Sequence, residues 1–211
     1  MTIDADRTRE RPYIIFGYGS LIWKPPPHVV VQIPDVDGSR AMSTAPGYLK
    51  GYNPGRVVTL IHKEEWDHFS ASDPFPDDDV VWGVAYTIDP AYESEVRDYL
   101  DYREKDGYTL EGVDVHGIVD GHEHIVLPKT FCYVGRPDNP SFIGSQPIDE
   151  LAERIWQSVG PSGPNKEYLY HLADAVRRLA PEAHDSHLTA LETRCKAMDE
   201  RAKGANIGND P

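Results

Sequence analysis

Cysteine is scarce in this chain: Cys132 and Cys195 are the only two among 211 residues. Their spacing suits neither a metal knuckle nor a redox dithiol, and it offers no disulfide framework. Basic residues are few as well, 21 lysines and arginines against 35 acidic residues, for a net charge of −14. That balance argues against nucleic acid and anionic membrane as partners, while leaving room for a small anionic ligand held by a local cluster of donors. No apolar run reaches the length needed to cross a bilayer. The opening stretch, "MTIDADRTRERP", lacks the apolar centre of a secretion signal. A reduced, cytoplasmic protein with no membrane partner is therefore expected.

What is present suffices for one core: 39% hydrophobic and 10% aromatic residues in a chain of single-domain length. A domain over 12–203 is expected, flanked by loose tails at 1–11 and 204–211. Runs rich in β-branched and aromatic residues predict strands over 13–16, 29–33, 56–61, 80–88, 108–119 and 123–135. Residues 35–54 show no convincing period, although "DVDGSRAMSTA" has weak strand character. "HKEEWDHFSASDPFPDDD" reads as an acidic, solvated loop. Pro90, after Asp89, opens a predicted helix to about Arg103, with Val96, Tyr99, Leu100 and Arg103 at helical spacing. Three helical segments end the chain. Strands mostly first and helices mostly last favour an α+β fold.

Four stretches bear on chemistry. In "YIIFGYGSLIWKP" two glycines interrupt an apolar run, which marks either a strand turning a corner or a place where a ligand meets the backbone. The stretch lacks the third glycine of a dinucleotide fingerprint and the lysine of a phosphate loop, so a nest of backbone N–H groups suited to a carboxylate or carbonyl oxygen is what remains. In "YLDYREKDGY", Glu104 falls at a helix C-terminus, where the dipole disfavours its charged form. This suits a general base, though a solvated glutamate paired with Arg103 or Lys105 fits the same residues. "GPSGPNKEYLYHL" reads as a turn before a helix, with Asn165 as a candidate N-cap and a structural role. His116, His122 and His124 share a strand region, but nothing completes a zinc set. Ser20 lacks the frame of a nucleophile elbow.

Taken in order, "FGYGSLIWKP", "NPGRVVTLI", "VWGVAY", "YLDYREKDGY" and "GPSGPNKEYL" resemble the ChaC-like γ-glutamylcyclotransferases that act on glutathione, from about Tyr13 to Leu191. The acidic insertion before Val80 resembles fungal members. The resemblance implies a small closed β-barrel flanked by helices and a reaction needing no metal or cofactor. It also implies that Gly17, Tyr18, Gly19, Ser20, Leu21 and Ile22 hold the γ-glutamyl group of glutathione. Glu104 falls on the family's catalytic glutamate, and Tyr108 on a substrate hydrogen-bond partner.

The chain departs from the family in one place. Between "GYLKGY" and "NPGRV" relatives usually carry an Arg-Arg-aromatic strand and a Ser-x-Asp-His-Arg-Gly stretch. About fifteen residues are missing here, enough for a strand and its turn. The departure opens an alternative: a weakened or inactive isoform that acts at most as a binder of γ-glutamyl compounds.

Overall fold

A short apolar strand, β1 (Ile14–Gly17), runs through the middle of a five-stranded sheet with three of its four residues buried. It pairs antiparallel with β5 (Gly83–Ile88) and parallel with β7 (His122–Gly135). β2 (Val29–Val36) extends one side through β5, and β6 (Tyr108–Val119) the other through β7. The computed structural model describes residues 12–36, 42–45, 56–66, 68, 75, 81–104, 107–120, 122–139, 142, 144–160, 162–181 and 185–207. Among these, β3 (Met42–Ala45) and β4 (Thr59–His62) form a separate antiparallel pair.

The strand period of two sorts side chains onto two faces. Phe16, Ala85, Cys132 and Val134 share a cluster with Leu60 of β4, so the β3–β4 pair packs over one face. Ile15, Tyr86, Ile88 and Tyr133 meet Val96 and Leu100 of α2 (Glu93–Arg103) on the other. A 3₁₀ turn over Pro90–Tyr92 leads into α2, with the Asp89 side chain accepting from the Ala91 N–H at 2.9 Å. The helical start expected at Pro90 thus begins as a 3₁₀ turn.

The fold is mixed α+β, as expected, but the closed barrel is not. A barrel closes when its last strand pairs with its first. Here β2 and β6 are edges of an open sheet among the described residues, and β3 and β4 satisfy one another instead. Residues 46–55, where the family segment is missing, lie outside the described residues, as do 1–11 and 208–211. Within the stretch read as a solvated loop, α1 (Lys63–Trp66) forms because Trp66 is buried against Ile61 and Phe142.

The C-terminal helices are α3 (Ile148–Gln157), α4 (Asn165–Leu179) and α5 (Ser186–Ile207), with the two-residue strands β8 (Val159–Gly160) and β9 (Gly163–Pro164) between the first two. α5 continues through Gly204 to Ile207, where a loose tail was expected to begin; Ala202 and Ala205 favour that continuation. Asn165 does not cap α4. Its side chain turns to the backbone of Arg56.

Leu151, Ile155, Leu169, Leu172, Leu188 and Leu191 join the three helices in one apolar cluster. Beside it, one carboxylate ties all three: Asp199 accepts from Trp156 Nε1 at 2.8 Å, Lys166 Nζ at 2.6 Å and the Tyr170 hydroxyl at 2.7 Å. Burial alone would raise its pKa, but these three donors outweigh it and bring the carboxyl down to about 2. A depressed folded pKa contributes stability above the unfolded value, and that stability is lost as pH falls toward 2. Asp199→Asn should therefore unfold at lower denaturant than the parent at pH 7, by on the order of 1 kcal/mol. The gap should close between about pH 4 and pH 2, as measured by urea titrations across that range.

Candidate active site

Where β1 ends, the chain turns into a 3₁₀ helix over Gly19–Ile22. Gly19 adopts φ +57°, a conformation that L side chains rarely take, and a Cβ there would stand 2.8 Å from Val58 Cγ1. Gly17 is glycine for a different reason: a Cβ would sit 2.8 Å from Leu21 Cβ and 2.9 Å from the Tyr86 ring. Between them, Tyr18 is buried, its hydroxyl donating to the Tyr133 carbonyl at 2.9 Å and accepting from the Leu60 N–H at 3.2 Å. The Tyr86 hydroxyl donates to the Leu21 carbonyl at 2.8 Å. The turn is thus fixed from both sheet faces.

The end of α2 meets this turn. Arg103, its last residue, donates through Nη2 to Ser20 Oγ and through Nη1 to the Lys24 carbonyl, both at 2.8 Å. Its Nε lies 3.4 Å from Oε1 of Glu104, the C-cap residue. The Glu104 side chain is only 14% exposed, so it is not the solvated helix-end carboxylate that its sequence also allowed. It sits among groups that burial first of all keeps protonated: the phenols of Tyr18, Tyr133 and Tyr168 and the Cys132 thiol are all pushed up, and the charge of Glu104 adds to each shift.

The opposite wall comes from the segment entering β4. Val57 and Val58 face the turn across a cleft of about 490 Å³ that also includes Arg103 and Glu104. The Tyr108 hydroxyl reaches Thr59 Oγ1 at 3.1 Å and the Val58 carbonyl at 3.4 Å. Tyr168, from α4, lines the same cleft beside Val57 and Val58. In a chain of net charge −14, Arg103 is the one cation and Glu104 the one anion among the described residues lining this cleft.

Of the residues expected at the site, Tyr18, Gly19, Ser20, Leu21, Glu104 and Tyr108 line this cleft together. Gly17 lies beneath it, and Ile22 packs toward the apolar clusters of the helices and of α2. Val57, Val58, Tyr133 and Tyr168 were missed, and Arg103 was read only as a charge partner. Tyr168 left one signal: it stands at the edge of the apolar stripe Leu169, Leu172, Ala173 and Val176, with its hydroxyl unaccounted for. His116 pairs with Glu123 at 2.8 Å and His122 with the Asp120 carbonyl at 3.0 Å. Among the described residues no three His, Cys, Asp or Glu side chains converge as metal ligands.

A largely buried carboxylate, several hydroxyls and a glycine turn around one small cleft suit proton transfer on a small polar molecule. Known proteins share this framework. A glutathione-specific gamma-glutamylcyclotransferase of Schizosaccharomyces pombe is 37% identical, across 90% of this chain and 95% of its own. The one from Saccharomyces cerevisiae is also 37% identical, across 84% and 93%. A crystal structure of the yeast cyclotransferase specific to glutathione superposes with a TM-score of 0.70 at 34% identity, across 89% of this chain and 97% of that one. The family model described as ChaC-like protein matches residues 13–198, and the chain belongs to that family.

Proposed function

We propose that this chain is a glutathione-specific γ-glutamylcyclotransferase, with Glu104 as its general acid and base. The α-amine of the γ-glutamyl group attacks its own γ-carbonyl carbon, a five-membered ring closes, and the amide C–N bond breaks. The products are 5-oxoproline and Cys-Gly. Nucleophile and electrophile are already tethered, so the protein has to fold the chain and move protons. Glu104 takes a proton from the ammonium and delivers one to the leaving nitrogen. Gly19 and Ser20 open the 3₁₀ turn, and their N–H groups have no acceptor within it, which suits them to the oxyanion that develops on the γ-carbonyl. Tyr108 serves as a hydrogen-bond partner, and no cofactor takes part.

The observation that carries this reading is the meeting of the Tyr18–Leu21 turn and Glu104 in one cleft under the Arg103 fork. Residues 12–203 act as one domain in the reducing cytoplasm; no helix among the described residues is long and apolar enough to cross a membrane. The direct test is 5-oxoproline release from glutathione by the purified protein. Release should continue unchanged in EDTA, and loss restored by zinc or manganese would overturn the metal-free mechanism.

Glu104→Gln keeps the shape and removes the base, so turnover should fall by roughly 10²- to 10⁴-fold with the melting temperature little changed. Near-normal release would remove Glu104 from the role. Gly19→Ala should raise KM and also lower the melting temperature, because the added methyl meets Val58 and forces a strained φ, at a cost of about 1–2 kcal/mol. A variant binding glutathione like its parent would leave the turn with a purely structural role.

A further inference from the structure

Asn165 makes two hydrogen bonds that a helix cap does not need. Its Oδ1 accepts from the Arg56 N–H at 2.6 Å, and its Nδ2 donates to the Arg56 carbonyl at 2.8 Å. A side-chain amide thus pairs with both backbone groups of one residue 109 positions away, as a neighbouring strand would. Asn165 is itself fixed, its backbone N–H bonded to the Ser158 carbonyl at 2.9 Å. Arg56 is buried, and its guanidinium reaches Gln146 Oε1 at 3.0 and 3.2 Å. Asn165 does not line the cleft, but the two residues after Arg56 do.

We infer that Asn165 is a positioning residue that sets the width of the substrate cleft by clamping the wall at residues 56–58. The inference rests on the cyclotransferase reading of that cleft. Val58 bears on the glycine turn and on the aromatic residues of the site. Its methyl lies where a Gly19 side chain would go, its carbonyl accepts from Tyr108, and Tyr168 lines the cleft beside it. Glu104 and Arg103 stand on α2, outside this chain of contacts. Releasing the wall therefore loosens contacts made alike in ground and transition states, which raises KM and leaves kcat and its pH profile in place.

The experiment compares Asn165→Ala, Asn165→Asp and Asp199→Asn with the parent, measuring 5-oxoproline release, melting temperature and hydrogen exchange by mass spectrometry. Asn165→Asp keeps the acceptor for the Arg56 N–H but sets an oxygen against the Arg56 carbonyl; it carries the test if the alanine variant does not fold. Asp199→Asn loosens the same helices through Lys166, next to Asn165, without touching residues 56–58. Both Asn165 variants should raise KM about tenfold, with kcat within about threefold of the parent. Exchange should quicken at 56–60 and at 18–24. The Asp199 variant should lose melting temperature at unchanged KM. An unchanged KM in a folded Asn165 variant, or a rise in both proteins that follows lost stability, would overturn the inference. A parent that releases no 5-oxoproline would overturn the cyclotransferase reading instead. Exchange then decides the clamp: quickening that stops at 56–60 defeats it, and spread to 18–24 supports it.

Discussion

The guanidinium of Arg103 joins two stretches separated by 83 residues, and the geometry of the cleft depends on that fork. Two nitrogens are spent on Ser20, inside the 3₁₀ helix after β1, and on Lys24 beyond its end, while the third faces Glu104. A lysine at this position carries the same charge but lacks the planar set of donors needed to reach three partners at once. The fork works because both of its anchors are rigid. α2 is pinned to the sheet through the fully buried Val96 and Leu100, and β1 lies between two neighbours in the same sheet. Packing in the sheet therefore sets a distance between a backbone turn and a carboxylate.

Burial around that carboxylate does chemical as well as structural work. The Tyr18 hydroxyl has a donor and an acceptor partner inside the protein, so its burial leaves no polar atom unsatisfied. The neighbouring phenols and the Cys132 thiol stay neutral because burial, reinforced by Glu104, disfavours their anions. Among the described residues lining the cleft, Glu104 is the one carboxylate, and the one cation, Arg103, is already committed to hydrogen bonds. Such a cleft lets a carboxylate exchange protons without a competing acid nearby.

Much of this was legible in the sequence because the features involved are local. Glycines that break an apolar strand, and a glutamate just after the last helical residue, show themselves within ten residues. The elements that were missed have causes elsewhere in the chain. α1 exists because Trp66 finds Phe142, and the β3–β4 ladder forms between two segments with little strand pattern in the first. Asn165 has the composition of a cap, and only the arrival of Arg56 from the other side of the fold gives its amide a better partner. The closed barrel came from family resemblance rather than from any pattern in the residues. It fails where strand pairing is decided by tertiary contact, at the edges β2 and β6.

The shortened stretch before Asn53 is best weighed by asking what holds the cleft. The turn is held by Tyr133, Leu60, Tyr86 and Arg103, all from β-strands or α2. The facing wall is held at Arg56 by Asn165, at Val58 by Tyr108, and at Thr59 by pairing with Ala45 of β3. None of these contacts runs through residues 46–55. The β3 strand, from a stretch with only weak strand character in the sequence, pairs Ala45 with Thr59 of that wall. Among the described residues, the groups that hold the glycine turn beside Glu104 are thus all present in this chain. This favours an active enzyme over a binding protein that has lost its chemistry.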